Sequence, residues 1–387
     1  MKRTLRPLLS ILFLMVVVAA LTVRVSMRHG FIQLRNDLLF GDIADIPPLN
    51  QTLLNYASID LSDPELKREV EALLDGNFGN QGRQRSFLSA GKYRVDLAAK
   101  SARGLPIQLR SPEFYQVWLS FRRILRSWFR NRRFQSDTML DVVNLVQGFV
   151  DENTGKKIRA GRKYKSCAVV GNSGILLKSE YGVLIDSHEA VIRLNNARIS
   201  SFEANVGKKT TISFVNSHIL HSCARRIDCY CHPYGVNVPI IMYICQPAHF
   251  FDYMACNSSE RAPLIVTDSH FDVLCARIVK YYSLKRFAET TGKNLEQWSP
   301  LHEGLLFHYS SGMQAVMLAV GVCDKVSIFG FGKSTDIKHH YHTNQKGELP
   351  LHDYEAEYDL YHDLVRRPKA IPFISEKFKF PPVVIYQ

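Results

Sequence analysis

Two kinds of residue in this chain have types and spacings that can do chemistry. The first are histidines: "KHHYHTNQKGELPLHDYEAE", residues 338–357, carries His339, His340, His342 and His352, with Glu357 five residues beyond the last of them. An imidazole has a reference pKa near ~6.5, so in mildly acidic to neutral fluid it can take a proton from a hydroxyl or bond a departing oxygen. Read from the residues alone, the run His339, His340, His342 is equally a metal-binding cluster or a solvated loop. The second kind are small polar turns. In "SCAVVGNSGILLKSE", residues 166–180, an apolar run enters Gly-Asn-Ser-Gly, and such a turn at a helix start leaves backbone N–H groups aimed outward, where they can hold phosphate. Taken alone this turn lacks the spaced Gly-x-Gly-x-x-Gly pattern and reads first as a tight strand-to-helix connection.

Hydrophobic patterning indicates what must position these residues. "CAVVG", "TTISFVN", "VPIIMYIC", "APLIVTD" and "KVSIFGFG" have the length and composition of buried strands, while "FDVLCARIVKYYSLKRFAETTG" and "GMQAVMLAVGVC" have the length of helices. Their alternation predicts an α/β domain with a largely parallel sheet, in which a ligand sits outside the carboxyl ends of the strands.

The chain's 387 residues, 46% of them apolar, suffice for a full core. Leu8 to Val23 is 16 residues without a charge, preceded by Lys2, Arg3 and Arg6 and followed by Arg24 and Arg28. That length is near the lower end of the roughly 17–25 residues that cross a bilayer. No clear Ala-x-Ala cleavage site follows, although a cleaved signal peptide fits the same basic start and apolar run. The expected layout is a cytosolic tail at 1–7, a transmembrane signal anchor at 8–24, a luminal stem at 25–110 and a catalytic domain at 111–387. Eight cysteines and the Asn-x-Ser/Thr sequons at Asn50 and Asn257 fit an oxidising, glycosylating compartment.

The formal net charge is +13, and a luminal chain meets no nucleic acid, so the charge points to sugar nucleotides or acidic glycans. Its densest run, Arg122, Arg123, Arg126, Arg130, Arg132 and Arg133, is interleaved with Phe114, Val117, Trp118, Phe121, Leu125 and Trp128 at helical spacing. An amphipathic helix opening near Pro112 with a solvated basic face is expected there. "HSCARRIDCYCHPYG" offers His221, Cys223, Cys229, Cys231 and His232 as ligands, but the spacing fits no common zinc pattern and an oxidising lumen favours disulfides. No metal site is expected.

Residues 167–214, 302–332 and 338–357 together resemble, in order, the large, small, third and very small motifs of the sialyltransferase family, glycosyltransferase family 29. The anchor and stem complete that family's type II Golgi layout. "HYSSGMQAVMLAVGVC" and the shared "KHHYHTNQK" and "LHDYEAEY" blocks further resemble its plant sialyltransferase-like branch, which includes β-1,6-galactosyl transfer onto arabinogalactan. The resemblance implies a Rossmann-like, variant GT-A fold, a nucleotide-sugar donor (UDP-galactose or a CMP-linked sugar such as sialic acid or a Kdo-like sugar) and a galactose-containing glycan or glycoprotein acceptor. The Golgi membrane and other Golgi glycosyltransferases are the implied partners, and no cofactor is implied.

Residue by residue, the resemblance implies donor contacts from Asn172, Ser173, Asn195, Ser310, Ser311, Gly312, Gly330, Phe331 and Gly332. It implies a disulfide between Cys167 and Cys323, joining the large and small motifs and thereby the two halves of the donor pocket, and leaves six further cysteines to pair. His352 is implied as the base for the acceptor hydroxyl, and His340 as the group that bonds the departing phosphate. Glu357 is implied to support the local fold or the imidazole. Tyr309 stands where the family commonly has Pro, and His342 and Thr343 stand where it usually has acidic or Trp residues. No Asp-x-Asp occurs in the chain. Such carboxylates commonly hold a divalent ion against a diphosphate leaving group, so metal-independent transfer is expected. A non-catalytic Golgi glycan-binding or scaffold protein is the alternative of another class.

Overall fold

The computed structural model describes residues 49–60, 63–76, 112–144, 162–224, 232–235, 237–257, 264–302, 307–334, 337–343 and 351–387. The expected tail and anchor lie outside these residues, as does most of the expected stem. Among the described residues no helix is long and apolar enough to cross a membrane.

Seven parallel strands form one sheet: β1 (Cys167–Val170), β2 (Ala190–Leu194), β3 (Ile212–Asn216), β4 (Ile240–Tyr243), β5 (Leu264–Val266), β6 (Val326–Phe329) and β7 (Val383–Tyr386). Their spatial order is β5-β4-β3-β2-β1-β6-β7. The chain winds outward from β1 to β5 and then adds β6 and β7 on the other side. The direction of winding therefore reverses between β1 and β6, where the connections diverge and open a crevice at the carboxyl edge.

Side chains alternate between the two faces of each strand. Cys167 and Val169 join one buried cluster, and Ala168 and Val170 join another on the opposite face. Both faces are covered, which is why the strands read as unbroken apolar runs. All five strands named from the sequence form. The sequence reading passed over two others. β2, "AVIRL", contains Arg193, which is 1% exposed because its guanidinium donates to the Lys209 and Val206 carbonyls and to Thr210 Oγ1. β7, "VVIY", follows a long irregular segment and pairs along β6.

The principal helices are α1 (Gln51–Ser58), α2 (Asp63–Leu74), α3 (Pro112–Arg130), α4 (Ser217–Ala224), α5 (Phe250–Asn257), α6 (Ser269–Thr291), α7 (Ser311–Val322) and α8 (Tyr354–Arg366). α3 buries Trp118, Phe121, Leu125 and Trp128 and leaves Arg123, Arg126 and Arg130 exposed, the expected basic face. Arg122 lies over the Trp118 ring, and Arg132, just past the helix, pairs with Asp60. Two helices fall inside the segment expected as stem. α1 buries Leu53 and Ala57 in the cluster that contains α6 and α7, and α2 buries Val70 and Leu73 with α3. The compact unit accordingly runs from Leu49 to Gln387, beginning earlier than residue 111. Asn50, the first sequon, caps α1 by accepting from the Thr52 and Leu53 backbone N–H groups; the side chain of Asn257 lies outside the description.

Cys167 and Cys323 are disulfide-bonded, with Cα atoms 6.1 Å apart and a sequence separation of 156 residues. The bridge does not sit at the pocket itself. Cys167 opens β1 and Cys323 ends α7, whereas the motif turns stand at the other ends of both elements. α7 has 12 residues, all buried, and is about 18 Å long at 1.5 Å per residue. The bridge therefore locks the far end of a buried rod whose near end forms one wall of the site. Cys245 and Cys275 are unbridged, so the six remaining cysteines do not all pair. Replacing Cys167 and Cys323 by Ser should lower unfolding free energy by about 2–5 kcal/mol, measured as a shifted urea midpoint against the oxidised parent.

Candidate active site

The large-motif turn follows β1, and its geometry corrects one expectation. Gly171 N–H donates to the Phe329 carbonyl, Ser173 N–H to Gly330, and Gly174 N–H to Lys338. Those backbone donors are used within the protein and are not aimed at a phosphate. Ser173 Oγ donates to the Gly332 carbonyl at 2.6 Å and accepts from the Ile175 N–H. The turn thus ties the end of β1 to the end of β6. What it offers to the pocket is Asn172, whose buried side-chain Oδ1 has no hydrogen-bond partner among the described residues. Its own carbonyl accepts from Tyr341 N–H, which pins the third-motif histidines over the turn.

The Gly330–Gly332 loop must run close to that turn. Gly330 has φ +72°, and a Cβ there would stand 2.5 Å from Leu176. Phe331 is buried edge-on against Tyr361, and its ring would stand 2.6 Å from a Cβ on Gly312. The small motif is therefore seated on Phe331, and only glycine fits at position 312.

Ser310 caps α7, its Oγ accepting from Met313 N–H. It is held by Glu357 from α8: Ser310 N–H donates to Oε1 at 2.7 Å, and the Ser310 hydroxyl bonds Oε2 at 2.5 Å. Tyr361 OH also donates to Oε2. Glu357 is 1% exposed, and burial pushes its carboxyl up to about 7, the bonds from Ser310 and Tyr361 acting in the opposite direction. Its task is to hold the Ser310 turn; His352 is held by another group.

Ser311 Oγ accepts from Asn195 Nδ2 (3.4 Å) and Asn216 Nδ2 (3.2 Å) and lies 3.3 Å from Tyr243 OH. Asn195 follows β2 at φ 52°, a left-handed conformation that asparagine tolerates better than most residues. Its Oδ1 accepts from Asn216 N–H. The polar residues ending β2 and β3 are thereby connected to the start of α7.

His352 Nδ1 lies 2.7 Å from the His308 carbonyl. A carbonyl only accepts, so Nδ1 carries the proton and Nε2 is the basic nitrogen. Burial lowers the His352 pKa, opposed by that hydrogen bond. His340 stacks between His339 (4.5 Å) and His342 (5.7 Å). Burial first, then charge on those two neighbours, pushes His340 down to about 4. All these groups, the large- and small-motif turns, Asn195, Asn216, Gly330–Gly332, His340, His352 and Glu357, line one pocket of about 140 Å³. A larger cavity of about 320 Å³, lined by Asp60, Arg132, Arg277, Lys280, Trp298 and the His308–Tyr309 segment, holds none of the motif turns.

A profile of glycosyltransferase family 29 (sialyltransferase) matches residues 115–369. The chain is 51% identical to the β-1,6-galactosyltransferase GALT29A of Arabidopsis thaliana, covering 100% of both chains. This chain belongs to glycosyltransferase family 29. It is also 50% identical to sialyltransferase-like protein 1 of Oryza sativa subsp. indica, over 89% of this chain and 91% of that one. A mammalian sialyltransferase solved with Gal-beta-1-3GalNAc-ortho-nitrophenol is 19% identical, with a TM-score of 0.37, over 79% of this chain and 96% of that one. Family membership makes the chain a glycosyltransferase, with a nucleotide-sugar donor and a glycan acceptor.

Every catalytic and donor-contact residue expected in this family 29 chain lines the pocket. The sequence reading missed Asn216, Tyr354 and Tyr358, which line it too, and gave His339, a further lining residue, no role at the donor site. Asn216 had a signal: it is the amide that closes the largely apolar strand "ISFVN", at the carboxyl end where ligands bind. His308 and Tyr243, which orient His352 and Ser311 from behind, had none. Among the zinc ligands considered above, His221 lies 3.0 Å from Asp252, while Cys229 and Cys231 lie outside the described residues.

Glu357→Ala should destabilise the fold by about 1–3 kcal/mol, because the buried Ser310 donors lose their acceptor. Glu357→Gln should be milder and should change sign with pH. The folded carboxyl, at about 7, lies above its ordinary value near 4.5. The parent therefore loses stability as pH rises through that window, and the Gln variant does not. Urea midpoints at pH 5 and pH 8 measure the difference, with Gln comparing better at pH 8.

Proposed function

We propose that this chain is an inverting, metal-independent Golgi galactosyltransferase that adds β-1,6-linked galactose to arabinogalactan-type glycans. The observation that carries this reading is the convergence of a neutral His352, its Nδ1 proton held by the His308 carbonyl, with two polar turns and a second imidazole in one pocket. The galactose assignment rests on the 51% identity to a β-1,6-galactosyltransferase over the whole chain. The apolar, charge-flanked run supports an anchor at 8–24 with a luminal catalytic domain, and the family resemblance supports Golgi residence.

In this mechanism the acceptor hydroxyl attacks the anomeric carbon of the donor and transfers its proton to His352 Nε2. The new C–O bond forms as the bond to the nucleotide phosphate breaks on the opposite face, which inverts the configuration. Asn172, Ser311 and Asn195 face the nucleotide, bonding ribose and phosphate without burying a counter-charge. His340 is neutral in the free site and donates an N–H to the phosphate; charge gathering there draws a proton onto the ring. The absence of Asp-x-Asp from the sequence agrees with a leaving group stabilised by imidazole and amide donors.

His352→Ala should reduce kcat by about 10²–10⁴-fold with the fold intact. His340→Ala should cost about 10²–10³-fold, partly recovered in His340→Asn, which restores an N–H donor. Because burial lowers the His352 pKa below 6.5, the base stays neutral to lower pH. The acid limb of the pH–rate profile should therefore fall below pH 6.5. A panel of UDP-galactose and CMP-linked sugars on galactan acceptors tests the donor: turnover with CMP-sialic acid alone refutes galactosyl transfer, and no turnover with any donor refutes the enzyme. Adding Mg²⁺ or Mn²⁺ should leave the rate unchanged.

A further inference from the structure

Apart from the pocket, the described residues contain one compact group of metal-ligating side chains. His221, on α4, and His249 and Asp252, at the start of and within α5, each place a ligand atom within 4.8 Å of the others. They are 5%, 2% and 1% exposed. His221 Nδ1 and Asp252 Oδ2 are 3.0 Å apart, close to the ~3.3 Å edge of a tetrahedron with metal–ligand bonds of ~2.0–2.1 Å. The His221 and His249 rings lie 4.6 Å apart.

We propose that these three residues hold a structural zinc ion that joins α4 to α5. His218, one turn before His221, is exposed and has its ring 6.1 Å from both of the others, beside the three ligands. The orientation of His249 is already set. Its Nδ1 is 2.7 Å from Ser217 Oγ, and that hydroxyl also accepts the Cys245 N–H. A metal on Nε2 leaves Nδ1 to donate to Ser217 Oγ, the arrangement in which an outer hydrogen bond fixes a histidine ligand's tautomer. Two nitrogens and a carboxylate, with a third imidazole adjacent, suit zinc, and none of them is a thiol that an oxidising lumen would remove.

The site is separate from the transfer chemistry yet adjoins it. Ser217, which orients His249, directly follows Asn216, which bonds Ser311 in the pocket. A clasped α4 fixes the end of β3 that carries Asn216.

Metal analysis of the purified full chain tests the proposal, with about one zinc per chain expected. After stripping with dipicolinate, Zn²⁺ should restore a higher Tm, and Co²⁺ should give the visible absorption of a four-coordinate site. His249→Ala and Asp252→Asn should abolish the metal content. Should either variant fail to fold, the parent's stripped and reloaded forms still decide. A parent chain that purifies without zinc, and whose Tm is unmoved by Zn²⁺, overturns the inference. Turnover assayed with and without added Mg²⁺ tests the catalytic reading separately, because neither outcome there changes the zinc count.

Discussion

The buried carboxyl of Glu357 is the constraint on which the site's shape depends. It sits on α8, accepts the Ser310 backbone N–H and bonds the Ser310 hydroxyl, and so fixes the first turn of α7 from a helix 47 residues further on. Without that acceptor, two donors of a buried turn lose their partner, and Gly312 is no longer pressed onto Phe331. Phe331 in turn belongs to the loop whose carbonyls receive Ser173. One desolvated carboxyl, raised towards neutrality by its own burial, therefore connects three sequence motifs that lie far apart along the chain.

The same economy appears in how the imidazoles are tuned. Among the described residues, neither catalytic candidate leans on a carboxylate. His352 is oriented by a backbone carbonyl, which selects a tautomer without adding charge, and desolvation keeps the ring basic but unprotonated. His340 is held neutral by burial and by two neighbouring imidazoles. A site so arranged is electrically poised to receive an anion: whatever negative charge arrives meets rings that can each take up a proton.

Much of this was legible in the sequence, and the gaps have physical causes. β1, β3, β4 and β6 were readable because a sheet covered on both faces demands unbroken apolar runs. β2 escaped because Arg193 interrupts its pattern, and only the structure supplies the carbonyls that neutralise the cost of burying it. α1 and α2 were hidden because each commits only two side chains to the core, too few for a periodic signal. The pocket residues were identified through motif resemblance. The GNSG turn showed the limit of local reading: its backbone donors looked available for phosphate, but long-range pairing with the β6 loop and with Lys338 had already engaged them. His308 and Tyr243 act through a carbonyl and a hydroxyl at a distance, which no residue pattern announces.

The placement of the Cys167–Cys323 bridge has a consequence for biosynthesis. Its first sulfur belongs to the strand that starts the sheet and its second to a helix that emerges 156 residues later. β6, which supplies half of the crevice, follows later still. A nascent chain halted between them would own a half-built sheet with an exposed apolar seam where α7 belongs. The first strand therefore waits, unbridged, for a helix that is made only after five strands of the sheet, and closing the bond ties the start of β1 to the far end of α7.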